Sequence, residues 1–178
     1  SFQESESLFL DIWDGYPAER QKIINTIQQN NLDDVVILSG DLHSSFGYDI
    51  SPLPVELNFQ TIPGVGTLPF YNPSPAYDPA TGDGSVAVEF LCPSITSANF
   101  DENIDLLTAI GLQAQINNEI NQGISLGNPN PHMKYVDLIR HGYFILDVKP
   151  DSTQANWYYS DIQMVTDSEA FDAAWYTK

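Results

Sequence analysis

The chain has 178 residues, enough for one ordinary domain with its own core, and 42% of them are hydrophobic and 12% aromatic, which argues against a disordered polypeptide. Acidic residues number 24 against 6 basic ones, for a net charge of -18. Such a surface repels phosphate backbones and anionic lipid heads, so nucleic-acid and membrane-surface partners are disfavoured. No apolar run approaches the roughly 20 residues of a membrane-spanning helix.

The first stretch, Leu8-Phe9-Leu10-Asp11-Ile12-Trp13, is apolar and leads into the turn composition Asp14-Gly15-Tyr16-Pro17. Pro17 opens a predicted helix in which Ile23, Ile24 and Ile27 keep helical spacing, and Asn30-Asn31 stops it. Val35-Val36-Ile37-Leu38 follows, a short apolar run expected as a strand buried on both faces of an α/β sheet. The polar cluster beginning at Ser39-Gly40 stands at its C-terminal end, where ligand sites gather in such sheets. Ser45 to Ile50 alternates as a strand does. Residues 51–84 carry seven prolines and several glycines, and read as a long surface excursion. Val86 to Leu91 is a strand by composition. Asp101 is expected to cap one helix through Ile104, Leu107, Ile110 and Ala114 to about Asn121, with Gly123 ending it. Three strands close the pattern, Tyr135 to Ile139, Tyr143 to Val148 and Ala155 to Asp161, the last two joined by a hairpin turn at Lys149-Pro150-Asp151-Ser152. The acidic and aromatic tail from Ser168 carries no assignment.

Asp41 and His43 are the strongest candidates for chemistry. At i and i+2 in an extended chain their side chains share one side, roughly 6 to 7 Å apart, and paired hydrolytic metals lie about 3.5–4 Å apart. Carboxylate and imidazole suit Ca, Mn, Fe or Zn alike. Taken alone, the pair reads more readily as an Asp capping the next turn beside a His with a structural hydrogen bond. Cys92, the single cysteine, excludes a disulfide within the chain and reads as a small buried hydrophobe between Leu91 and Pro93.

Context adds weight. Trp13 to Arg20, Leu38-Ser39-Gly40-Asp41-Leu42-His43-Ser44-Ser45, Val88 to Ser97, Asn130-Pro131-His132-Met133-Lys134-Tyr135, and His141-Gly142-Tyr143 with Trp157-Tyr158 occur in order. This ordered set resembles the PhoD family of alkaline phosphatases and phosphodiesterases, within the metallophosphoesterase superfamily, over roughly Ile12 to Ile162. The resemblance implies a layered α/β sandwich of mixed β-sheets flanked by helices. It also implies hydrolysis of phosphate esters at metals, with calcium and iron as the suggested set and Mn or Zn as alternatives. Asp41 and His43 match the family's Gly-Asp-x-His metal segment. The family's remaining ligands lie in an N-terminal half that the residues before Trp13 are too few to hold. Residues 1–178 therefore read as the C-terminal portion of a single domain, inactive alone, whose partner is that N-terminal half in cis or as a separate chain.

Candidate substrate contacts are Trp13, Tyr16, Ser94, Thr96 and His132, with no catalytic group identified. Each has a plainer reading. Trp13 and Tyr16 read as core aromatics beside a turn, Ser94, Thr96 and Ser97 as turn residues, and Arg20 as a surface residue. Glu89 reads as a solvated or paired acid, His141 as structural, and Lys134 as a scarce cation available to an anionic substrate. The first residue, Ser1, fits a removed leader or a piece of something longer, and the acidity fits an extracellular or periplasmic setting. The competing function is a non-catalytic extracellular assembly protein on the same fold, with oligomers possible.

Overall fold

The computed structural model describes residues 13–165 and 168–177; the apolar stretch Leu8 to Ile12 lies outside them. A 3-10 turn at Trp13–Gly15 leads into α1, Pro17–Gln29. Proline suits that first turn because its absent N–H would find no helical partner there. Ile24 and Ile27 form the buried side, and Asn31 leaves the helix at φ 50, a left-handed angle asparagine tolerates.

Among the described residues nine strands follow in chain order: β1 Val36–Ser39, β2 Ser45–Ile50, β3 Val55–Ile62, β4 Gly66–Pro73, β5 Ala87–Leu91, β6 Met133–Asp137, β7 Gly142–Lys149, β8 Ser152–Tyr159 and β9 Ala170–Thr177. Two short helices, α2 at Phe100–Asn103 and α3 at Leu106–Gln115, sit between β5 and β6. The architecture is mixed β-sheet with few helices. The central sheet has the order β1-β5-β2-β6, parallel between β1 and β5 and antiparallel elsewhere. The strands β7-β8-β9 form an antiparallel sheet, and β3-β4 a separate ribbon. No helix among the described residues is long and apolar enough to cross a membrane.

The central sheet carries a core on each face. On one, Phe46, Leu91, Met133 and Leu138 pack with Leu42, Phe100 and Ile116. On the other, Phe90 meets Ala155, Trp157 and Tyr159 of β8, joined by Val88, Tyr135 and Phe144. Alternation along β5 produces this split, since Glu89 and Leu91 point opposite to Val88 and Phe90.

Three expectations are corrected. First, β1 is not buried on both faces. It is an edge strand pairing with β5 among the described residues, and Leu38 is 56% exposed. A short β-branched run reports strand propensity, whereas its place in a sheet depends on partners remote in sequence.

Second, the excursion at 51–84 contains a regular hairpin. Strands β3 and β4 pair from Val55↔Pro73 to Ile62↔Gly66, and the Val65 N–H closes the turn on the Ile62 carbonyl at 3.1 Å. In a two-stranded ribbon every strand is an edge, so Pro69 and Pro73 can face away from the ladder. The ribbon is tied down where the Tyr71 N–H donates to the Leu126 carbonyl at 2.7 Å. Gly127 sits beside that bond with φ 86, and a Cβ there would lie 1.8 Å from the Tyr71 carbonyl oxygen. Gly127→Ala is therefore expected to cost more than about 1 kcal/mol, read as a lower denaturant midpoint at constant m.

Third, the helix expected from Asp101 to Asn121 is two helices. Asn99 precedes the first, its N–H donating to Glu102 Oε2 at 2.9 Å, and Asp105 caps the second by accepting from the Thr108 N–H at 2.9 Å. A side chain that can bond backbone locally competes with helix continuation. The C-terminal end comes early because Asn130 Nδ2 donates to the Ile116 carbonyl and Asn128 Nδ2 to that of Asn117.

The three closing strands and the β7–β8 turn are present, with Lys149 opposite Ser152. Strand β9, in the acidic and aromatic tail left unassigned above, is held by Asp172. This carboxylate accepts from Arg140 Nη1 at 2.9 Å and from the Tyr135 hydroxyl at 2.9 Å. Arg140, aided by Tyr135, holds the Asp172 carboxyl below the usual aspartate range. A depressed folded value contributes stability at pH above the unfolded value, about 3.9, and loses it as pH falls through the folded one. The stability gap between the wild type and Asp172→Asn should thus be full at neutral pH and close in acid, as paired urea titrations would read.

Candidate functional site

At the C-terminal end of β1 the chain turns sharply: the Leu42 N–H donates to the Gly40 carbonyl at 2.9 Å. Asp41 and His43 have φ 71 and 56, so the extended i, i+2 geometry expected for them does not hold. Left-handed backbone costs roughly 1–2 kcal/mol per non-glycine residue. Such strain persists where the surroundings over-determine it. The two side chains nevertheless line one cleft of about 850 Å³, within the usual range for ligand pockets.

The His43 ring is oriented by its surroundings. Nδ1 lies 2.8 Å from the Ala98 carbonyl oxygen, which can only accept, so Nδ1 carries the proton. Nε2 then presents a lone pair, the form in which imidazole ligates metals. Asp41 is exposed and has no hydrogen bond or ion pair among the described residues, so its carboxylate oxygens are available. These two donors suit one corner of a metal site. Among the described residues no group of three His, Cys, Asp or Glu side chains converges to hold an ion.

The floor of the cleft is one face of the central sheet. Glu89 stands there, accepting from Ser39 Oγ at 2.5 Å. It is a paired acid in the cleft rather than a solvated one. The signal was an acid inside the apolar run Val86 to Leu91, at the alternation position opposite Phe90. Tyr48 lies beside it on β2, with its hydroxyl pushed up by burial first and by the Glu89 charge second. Its ring stacks on Phe46 at 5.3 Å and on His132 at 6.1 Å. Asn99 and Asn103 form part of the far wall; neither drew attention in the sequence, because both look like ordinary turn residues.

Trp13 and Tyr16 are 47% and 53% exposed and line the cleft, so they are rim residues and not core. Arg20, read as a surface residue, lines it too, half-buried on the first turns of α1. His132 also faces the cleft, and burial first, then the Arg20 charge, hold its imidazole below the ordinary range. Ser94 and Thr96 do not line it. The Ser94 hydroxyl is enclosed by the Ser97 carbonyl at 2.6 Å, Asn99 Oδ1 at 2.9 Å and His141 Nδ1 at 3.1 Å. It fixes the loop that carries Ala98, one step behind His43. Thr96 is exposed on that loop.

His141 is structural: buried, bonded to Ser94, with Nε2 at 3.3 Å from Glu102. Lys134 is committed elsewhere, 3.2 Å from Asp49 Oδ2 and 2.5 Å from the Pro79 carbonyl, so it is no free cation for a ligand. Tyr77 donates to the same Asp49 oxygen at 2.7 Å, which fastens the loop after the ribbon to β2. Cys92 is half-buried, and burial pushes its thiol up, away from the reactive thiolate.

A family model described as PhoD-like phosphatase matches residues 1–157. Over 41 residues the chain is 49% identical to alkaline phosphatase D of Bacillus subtilis (strain 168), a match covering 23% of this chain and 7% of that protein. The solved structure of PhoD superposes with a TM-score of 0.58 at 22% identity, covering 93% of this chain and 24% of the other. At that identity the likeness is one of fold, and this chain spans about a quarter of the relative's length. With the family model matching most of the chain, these residues belong to the PhoD-like phosphatase family.

Proposed function

We propose that this chain carries part of the active site of a metal-dependent phosphoric ester hydrolase, an alkaline phosphatase or phosphodiesterase. The observation that carries the reading is the His43–Ala98 bond, which directs an imidazole lone pair into the same cleft as the free Asp41 carboxylate. Family membership supports the phosphoesterase chemistry.

In this reading Asp41 and His43 are ligands in a site completed by residues outside the chain. Residues 1–178 are then the C-terminal portion of one metallophosphoesterase domain, a layered sandwich whose other part is the N-terminal half of the same protein. Carboxylate and imidazole donors suit calcium and iron, as the family suggests, and Mn or Zn equally. Metal bound there would supply Lewis acidity for in-line attack on the phosphoryl group. The chain's own residues shape the cleft: Leu91, Phe100 and Ile104 give it an apolar side, and Trp13 and Tyr16 form the rim that would meet substrate. The acidic surface supports an exported protein working outside the cytoplasm.

The test is hydrolysis of p-nitrophenyl phosphate and its bis ester by the whole protein, with metal content measured on the same material. Activity should vanish with chelator and return on adding calcium and iron. Activity indifferent to chelator sinks the reading, and native protein free of metal and activity favours the non-catalytic assembly role.

A further inference from the structure

Charge pairing singles out Arg20. Lys22 pairs with Glu19 at 2.5 Å, Lys134 with Asp49 at 3.2 Å, Arg140 with Asp137 at 2.6 Å, and Lys149 with Asp147 at 2.9 Å. Among the described residues Arg20 is the basic side chain with neither an ion pair nor a hydrogen bond. In a chain with 24 acids, a half-buried guanidinium left without one is notable, and it faces the cleft. The five N–H donors of a guanidinium match the oxygens of phosphate and carboxylate.

The second observation is the ring of His132. Its Nδ1 is buried and has no hydrogen-bond partner. An orphaned buried donor costs more than an under-used acceptor, so Nδ1 is the unprotonated nitrogen. The proton sits on Nε2, the ring nitrogen left to the cleft, which makes it a donor. The two cleft histidines are thus opposite tautomers: His43 offers a lone pair, suited to a cation, and His132 an N–H, suited to an anion.

The two are also separated. His132 stacks on Tyr48, which pairs with Glu89 and through it with Ile37. That row lies two residues before the end of β1, roughly 7 Å of strand, and Asp41 comes only after the turn beyond it.

Building on the proposed hydrolase, we propose that Arg20 and His132 form an anion subsite, separate from Asp41 and His43, for a second anionic group on the substrate. The enzyme would then prefer phosphate esters whose leaving group itself carries a phosphate or carboxylate.

The test uses inorganic phosphate as probe and the whole protein stripped of metal on a chelating resin, so that neither metal nor a soluble polycarboxylate contributes, with affinity followed by ³¹P line broadening. Arg20→Ala and His132→Phe should each weaken binding by about tenfold, in line with the loss of a charge-assisted hydrogen bond. Lys22→Ala removes the same charge from the same helix outside the cleft and should have little effect. Circular dichroism checks that each variant folds. Equal affinity in wild type and Arg20→Ala, a matching loss in Lys22→Ala, or no binding by the wild type overturns the subsite. None of these outcomes depends on whether the whole protein hydrolyses esters, so the two proposals fail separately.

Discussion

Asp41→Asn and His43→Ala are each expected to lower metal-dependent ester hydrolysis by the whole protein by more than about 100-fold. Loss of an outer hydrogen-bond partner of a metal ligand typically costs 10–100-fold in affinity or activity, and loss of the ligand itself exceeds that. The two variants reach this result differently. Asp41 is exposed and makes no hydrogen bond among the described residues, so the isosteric Asn should change stability by no more than about 0.5 kcal/mol. Its effect would then be on metal retention alone. His43 also anchors the loop carrying Ala98, so His43→Ala leaves that carbonyl with only the longer bond from Asn103 Nδ2 at 3.3 Å and loosens the wall near Asn99. Its substrate KM should rise as well, which Asp41→Asn should not produce. Metal content separates the cases: both variants should lose metal, measured by elemental analysis after dialysis. Full activity and full metal content in both would remove these residues from the site.

Much of this site was legible because its parts lie in short contiguous segments. Ser39-Gly40-Asp41-Leu42-His43 reads as a loop after a strand, and the structure places it there, though in a left-handed turn. What the segment cannot carry is its partner. The Ala98 carbonyl that sets the His43 tautomer is 55 residues away and is a backbone atom, so no residue type announces it. Glu89 could be read only as solvated or paired, and its place in the cleft was hidden for a related reason. Alternation identified a face of the strand, but whether that face meets solvent or a cleft depends on β1, β2 and α2 together. Arg20 shows the same limit, since its lack of a partner appears only once every other described cation has been paired.

The fold divides in the same way. Strands β2, β5, β7 and β8 follow local alternation and turn chemistry, and the structure places them where those signals put them. The ribbon β3–β4 was hidden by its prolines, which usually argue against strands but are harmless where both strands are edges. Strand β9 was hidden because Asp172, Phe171 and Trp175 look like an irregular acidic tail. Its order comes from Arg140 and Tyr135, contacts that no local pattern contains. Local chemistry chose the elements, and long-range pairing chose their places.

Trp157→Ala is expected to cost about 3–5 kcal/mol of folding stability, a large share of the 5–15 kcal/mol typical of a domain. Trp157 is fully buried where the β7-β8-β9 sheet packs on the central sheet. Its ring meets Phe90 edge-on at 5.8 Å, Phe144 at 5.6 Å and Tyr135 at 4.8 Å, so three strands from two sheets lose a common contact. The indole N–H also reaches the Leu91 carbonyl at 3.4 Å, a long bond that contributes less than the packing. Phe90 lies between Glu89 and Leu91, which face the cleft, so loosening Phe90 on one face of β5 should be felt on the other. Trp157→Phe keeps most of the volume and should cost less than Trp157→Ala. The readout is a urea titration at constant m. Fluorescence gives an independent one: Trp13 and Trp175 are 47% and 39% exposed, so the blue-shifted emission of the folded chain belongs to Trp157 and should disappear with it. A loss below about 1 kcal/mol for Trp157→Ala would mean that the two sheets do not share this core, and the support it gives to the cleft floor would go with it.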